Sequence, residues 1–263
     1  MKPDTRPTRQ EMQAAIRNGQ FVPFYQPQID LMTGQPVGVE ILARWAHPRR
    51  GLLLPDQFIP LMERYGLIDQ LTECLLAQAL AFAKGCAETG TELGFALNVS
   101  PVSLRDVKLA RGICGLLRES GLEPHLITIE VTETAPSDRS GNVAHSLACL
   151  RTQGFKVSID DFGTGYSSLK LLSQVPFTEL KIDRTFVTKV HARKKAAAIL
   201  ESIMHLAGGL GLRTVAEGIE TEEEAVFLRS LGCEAGQGYL FARPMSGQDL
   251  TGFLEAQFFN AVA

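Results

Sequence analysis

About eight short apolar runs, most followed by a stretch with helical spacing, constrain this chain more than any other feature. From residue 95 onward the alternation is regular. Residues 95–99, 127–131, 157–159, 179–182 and 212–216 read as strands. Helical patterns fill 108–120, 142–152 and 192–208, and a capping box at Thr221-Glu-Glu-Glu224 opens another helix that Gly232 ends. A short last strand at 233–236 and a helix at 246–259 complete the series. Such alternation argues for α/β with a mostly parallel sheet. Eight units in 263 residues fit a (β/α)8 barrel.

The front of the chain departs from that rhythm. Thr8 and Glu11 form a capping box for a helix that Gly19 can close. Strands at 21–29 and 36–44 follow, joined only by a turn. That link is too short for a crossover helix, so the two are expected to be antiparallel neighbours. Pro23 and Pro27 mark the first as edge-like or interrupted. A helix at 58–64 and a long amphipathic one through Leu67, Leu71, Leu75, Ala79 and Leu80 come next. The expected division is a helical lead-in at 1–20 and one barrel over 21–263, with no linker or low-complexity tract between.

Strand phase carries the functional signal. Side chains alternate with period two along a strand. Val39 and Ile41 therefore oppose Gly38, Glu40, Leu42 and Arg44. Leu97 opposes Asn98, Ile129 opposes Glu130, Ile159 opposes Asp160, and Ile182 opposes Lys181. In a barrel one face meets the helices and the other points inward. Five strands thus place a polar residue inward near the C-terminal end, where barrel enzymes carry their sites. Taken singly, each has a bland reading: an ion pair for Glu40, Glu130 or Lys181, a turn residue for Asn98. Together, with Asp161 and Glu217 beside them, they are costly without a compensating ion.

Lys156 to Leu169, KVSIDDFGTGYSSL, sharpens the point. A strand ends in adjacent carboxylates, then a glycine-rich turn and a helical start at Ser167 follow. The bland reading is an Asp-rich turn capping a helix; the other is a cation held by oxygen. Two hard divalent cations, roughly 3.5–4 Å apart, suit hydrolysis of a phosphate ester.

Composition removes several classes. The net charge of −3 gives no support for a general nucleic-acid binder. No apolar run approaches a bilayer span, and the first residues lack a secretory core. Five scattered cysteines without CxxC spacing suggest buried thiols in a reducing cytoplasm.

The motifs then resemble those of the EAL-domain cyclic-di-GMP phosphodiesterases. Glu40-Ile-Leu42 with Ala43-Arg44-Trp45, Asn98-Val-Ser100, Glu130-Val-Thr-Glu133, Asp160-Asp-Phe-Gly-Thr-Gly165, Lys181-Ile-Asp-Arg184, Ala216-Glu-Gly-Ile-Glu220 and Gln237-Gly-Tyr239 stand in the family's order. Ile41 departs from the family name's alanine but points away from the metals. The resemblance implies a modified TIM barrel with one antiparallel strand. It implies two Mg²⁺ or Mn²⁺ ions held by Glu40, Asn98, Glu130, Asp160, Asp161 and Glu217. Lys181 orients the hydrolytic water, Glu217 is a ligand or a base, Gln237 supports the site, and Glu133 shapes the loop after the Asp160-Asp161 strand. Gln26, Leu42 and Arg44 touch the dinucleotide, with Asp183, Tyr239 and Pro244 near its bases. The expected partners are cyclic-di-GMP, a second copy in a homodimer, and a sensory or receiver domain outside this chain.

The alternatives are a cyclic-di-GMP-binding effector without turnover, a protein-interaction domain, a Mg²⁺-dependent barrel lyase, and a Schiff-base enzyme using Lys181. The complete acidic set speaks against the first, and intact Arg44 and Lys181 speak against the second. Carboxylates that keep the lysine charged speak against the last.

Overall fold

The computed structural model describes residues 7–88, 91–132, 142–164 and 168–262. The strands are β1 (Phe21–Asp30), β2 (Pro36–His47), β3 (Gly51–Leu53), β4 (Gly94–Asn98), β5 (Ile127–Thr132), β6 (Lys156–Phe162), β7 (Glu179–Ile182), β8 (Arg213–Ala216) and β9 (Ala235–Gly236). The helices are α1 (Arg9–Arg17), α2 (Ile59–Tyr65), α3 (Ile68–Glu88), α4 (Val107–Ser120), α5 (Asn142–Thr152), α6 (Ser168–Gln174), α7 (Arg184–Val187), α8 (Lys194–Leu210), α9 (Glu222–Ser230) and α10 (Gly247–Val262).

Eight strands close a barrel in the order β1-β2-β4-β5-β6-β7-β8-β9, and β3 is an extra strand on β2. β1 runs antiparallel to both of its neighbours. The other barrel pairings are parallel. A short link can only reverse the chain, so the tight turn between β1 and β2 sets this departure from an all-parallel barrel.

The prolines do not interrupt β1, which pairs with β2 along its length. The Tyr25 N–H points the other way and donates to Met245 O at 2.8 Å. Pro23 and Pro27, two residues either side, therefore lack their N–H on that same flank. β9 reaches only Ile29 and Asp30 there, so no ladder bond is lost.

β2 runs to His47, beyond the expected end at Arg44, and folds back through β3, with Trp45 opposite Leu53. This hairpin supports a second apolar cluster. Met12 and Ala15 of α1 meet Phe21, Trp45, Phe58, Met62, Leu67 and Leu71. Phe21 and Trp45 lie 5.0 Å apart by ring centroids. The main core lies between the outward strand face and the helices: Val39, Ile41, Leu97, Ile129, Ile159, Leu180 and Ile182 are all buried.

Both capping boxes form. Thr8 Oγ1 accepts from Glu11 N at 3.2 Å and Glu11 Oε2 accepts from Thr8 N at 3.4 Å. Thr221 Oγ1 accepts from Glu224 N at 3.3 Å, and Glu224 Oε2 accepts from Thr221 N at 3.2 Å. α8 starts later than its apolar pattern suggests, because a 3-10 turn at Val190–Ala192 precedes it. Only Cys233 of the five cysteines is buried; the other four are half-buried, and all five are free. Among the described residues no helix is long and apolar enough to cross a membrane.

Candidate functional site

Small residues on the inward strand face leave room for charged ones. A Cβ on Gly38 meets Gln28 Oε1 at 3.0 Å and Gly94 O at 3.3 Å, so the backbones there already touch. Above this floor sits Lys181, fully buried on β7. Its Nζ lies 2.7 Å from Glu217 Oε1, 2.9 Å from Glu130 Oε2, 3.3 Å from Asp160 Oδ1 and 3.5 Å from Glu40 Oε2. One ammonium thus holds carboxylates from β2, β5 and β6 and from the residue after β8. The shared strand phase brings them together.

Amides complete the cluster. Asn98 Nδ2 donates to Glu40 Oε1 at 2.6 Å. Gln237 Nε2 donates to Glu40 Oε2, and also to Gln26 Oε1 at 3.3 Å. Gln26 Nε2 in turn donates to Ala242 O at 3.1 Å.

Asp160 and Asp161 are adjacent, and regular strand geometry sends them to opposite faces. The β6–β7 register shifts between Ile159 and Phe162, and Asp161 adopts φ +55°. That bulge turns the second carboxylate back. Asp160, Asp161 and Glu217 each offer an oxygen within 4.8 Å of the others.

The electrostatics follow from burial against one cation. Burial pushes the Glu217 carboxyl up to about 8 and holds Glu130 well above the ordinary carboxylate range. Burial and the charge on Asp160 raise Asp161. Burial works to raise Glu40 too, but Lys181 and the two amide donors outweigh it and hold it low. Burial works against the Lys181 ammonium, yet its carboxylates raise it well above an ordinary lysine.

The donor set fits a hard divalent ion. Glu130 Oε1 and Gln237 Oε1 are buried and meet no hydrogen-bond donor among the described residues, and a buried acceptor without a partner is costly. Cations of the Mg²⁺ kind take oxygen ligands, and carboxylates and amide oxygens are what this cavity supplies.

The other candidates named from the sequence disperse around this centre. A cavity of about 200 Å³ is lined by Gln26, Asp183, Glu217, Gln237 and Tyr239, together with Arg184 and Glu220. Strand phase does not point to Arg184 or Glu220 as site residues. Arg184 follows Asp183 directly after β7, and that position is the available signal. Asp183 Oδ1 caps α7, accepting from Thr185 N at 2.9 Å. Arg44 is nearly buried, donates to Ala43 O at 2.9 Å and lies 5.4 Å over the Phe24 ring. Leu42 lines a different, largely apolar cavity of about 280 Å³ that also reaches Asn98. Pro244 is half-buried beside Arg243, whose guanidinium stacks 4.2 Å over the exposed Tyr239 ring. Glu133, Gly165 and the helical start at Ser167 lie outside the described residues.

Comparison with known proteins gives a consistent picture. The EAL domain family model matches residues 9–244. The cyclic di-GMP phosphodiesterase RocR of Pseudomonas aeruginosa is 41% identical over 242 residues, covering 92% of this chain and 62% of RocR. The cyclic di-GMP phosphodiesterase NbdA of the same organism is 39% identical over 253 residues, covering 96% of this chain and 32% of NbdA. Among solved structures, the PaMucR phosphodiesterase in complex with c-di-GMP is 38% identical with a TM-score of 0.85, covering 92% of this chain and 98% of that one. The chain spans less than two thirds of the length of RocR and of NbdA.

Proposed function

The chain belongs to the EAL-domain family, and from that premise we propose that it hydrolyses cyclic-di-GMP to linear 5′-pGpG with two divalent ions, Mg²⁺ or Mn²⁺. The observation that carries this reading is the ring of four carboxylates around Lys181, one of them with a buried oxygen that no donor among the described residues meets.

Glu40, Asn98, Glu130, Asp160, Asp161 and Glu217 would hold the ions. When bound, such ions activate water and neutralise charge on the leaving oxygen. The chain's own groups do the rest. Asn98 turns its amide oxygen, in place of its nitrogen, toward a cation, a flip the side chain allows. Lys181 donates to the attacking water and fixes its approach. Glu217 serves as a ligand or as the base; in the ion-free chain burial raises its carboxyl to about 8. Gln237 and Gln26 hold Glu40 in place. Arg44 meets a phosphate, and Leu42, Asp183, Tyr239 and Pro244 meet the bases. Glu133 keeps the loop after β6 in its competent shape.

A homodimer, and a sensory or receiver domain outside this chain, belong to the same proposal. The greater length of RocR and NbdA supports the latter. Purified protein with Mg²⁺ or Mn²⁺ is expected to yield pGpG by anion-exchange chromatography. EDTA or Glu40→Ala abolishes it. A folded sample that binds cyclic-di-GMP tightly but never turns it over, with either metal, refutes the enzymatic reading and leaves the effector.

A further inference from the structure

The cysteines have no part in the chemistry above. Cys114 and Cys149 both line a groove of about 520 Å³ between α4 and α5. It shares no lining residue with either cavity at the barrel mouth. His145 sits one helical turn before Cys149, and its Nε2 lies 3.6 Å from Cys149 Sγ. With the imidazole hydrogen on Nδ1, this nitrogen can accept from the thiol.

The groove has a sign. Arg111 and Arg118 of α4 line it and are exposed, and among the described residues no carboxylate lines it. Arg118 also acts electrostatically on Cys114. Two fixed positive charges make the groove poor for a divalent cation and suited to an anion.

The five thiols are not equivalent. Burial pushes those of Cys74, Cys86 and Cys114 up, and that of Cys233 to about 11. Cys149 alone combines partial exposure, a histidine base and cationic surroundings. Reactive thiols occupy such surroundings, while buried ones stay inert.

We propose that Cys149 is a reactive thiol that takes a mixed disulfide from a small anionic disulfide of the glutathione class. His145 Nε2 accepts the thiol proton as Cys149 Sγ attacks one sulfur of the reagent. A new S–S bond forms at Cys149 while the reagent's own S–S bond breaks. The expelled thiolate leaves and is protonated, so one protein thiol and one disulfide give one mixed disulfide and one free thiol.

The test is peptide mapping of the purified protein after exposure to oxidised glutathione at neutral pH. One adduct is expected first, on Cys149, reversed by a reductant and absent in Cys149→Ser. His145→Ala should slow it by at least about threefold at pH 7, and much less at pH 9, where thiols ionise unaided. Arg111→Gln with Arg118→Gln should slow oxidised glutathione but not a neutral disulfide such as hydroxyethyl disulfide. A first adduct on another cysteine, no adduct at all, or a His145→Ala rate unchanged at pH 7 overturns the proposal. Should a variant fail to fold, the wild-type map and its rate against pH still decide.

Discussion

Replacing Lys181 by methionine keeps most of the buried volume and removes the one charge facing four carboxylates at 2.7–3.5 Å. Breaking a buried pair from one side costs about 3–5 kcal/mol. The protein has an escape, because a stranded carboxylate can take up a proton. At pH 7, once the lysine is gone, protonating Glu40, which Lys181 helps to hold below its ordinary 4.5 in the wild type, costs about 1.36 × 2.5, or about 3.4 kcal/mol. That figure caps the loss of one compensating charge. At pH 5.5 the same escape costs about 1.4 kcal/mol. Relative to its unfolded state, the mutant native state holds one more carboxyl proton than the wild type does, so its deficit grows with pH by about 1.36 kcal/mol per unit. Urea unfolding of both proteins in EDTA, at pH 5.5 and pH 7, measures this. A drop of about 7–14 °C in melting temperature should accompany the pH 7 deficit. A deficit equal at both pH values, or larger at 5.5, shows that methionine packing and not charge sets the cost, and the electrostatic reading of the site is then wrong.

Other outcomes follow from single features. Glu217, raised to about 8 in the folded chain, is neutral in both folded and unfolded states below its ordinary 4.5, so its burial costs nothing there; the cost grows as pH rises and is complete above about 8. Divalent ions compete with that proton, so their stabilising shift in a thermal melt should increase from pH 6 to pH 8.5, by up to about tenfold in affinity per unit, and a flat response argues against Glu217 as a ligand. Gly218 sits at φ +67° with a Cβ position 2.4 Å from Arg184 Cβ; Gly218→Ala should lose more than about 1 kcal/mol and reduce turnover, measured by urea unfolding and pGpG release. Thr221→Ala removes the cap of α9 and should cost about 1 kcal/mol with turnover intact.

The inward phase of five strands was legible because period-two alternation is strict and the outward positions are plainly apolar. Glu40, Asn98, Glu130, Asp160 and Lys181 followed from it directly. The place of Asp161 beside its neighbour did not, because it depends on a bulge and a left-handed backbone that an aspartate can adopt but does not announce. The hairpin strand β3 escapes a reading of pattern, since so short a stretch after Arg49-Arg50 carries no periodicity. The continuity of β1 is hidden because two prolines look like breaks until the direction of their missing N–H groups is known. Arg184 and Glu220 reach the cavity from strand ends and loops, where no repeat governs which way a side chain faces.

The flank of β1 with the missing N–H groups has a mechanical meaning. Around most of its circumference the cylinder is stitched by longer ladders, but β9 joins each neighbour by only two residue pairs, and those with β1 lie at the end far from Gln26. Nearer the mouth, the wall is fastened instead by the exchange of bonds between Tyr25 and Met245 and by Gln26 reaching Ala242. Those fasteners belong to the stretch leading into α10. A pull on that last helix is therefore transmitted to the glutamine that steadies Gln237, and through it to Glu40, across a handful of hydrogen bonds at a sparsely paired seam of the barrel.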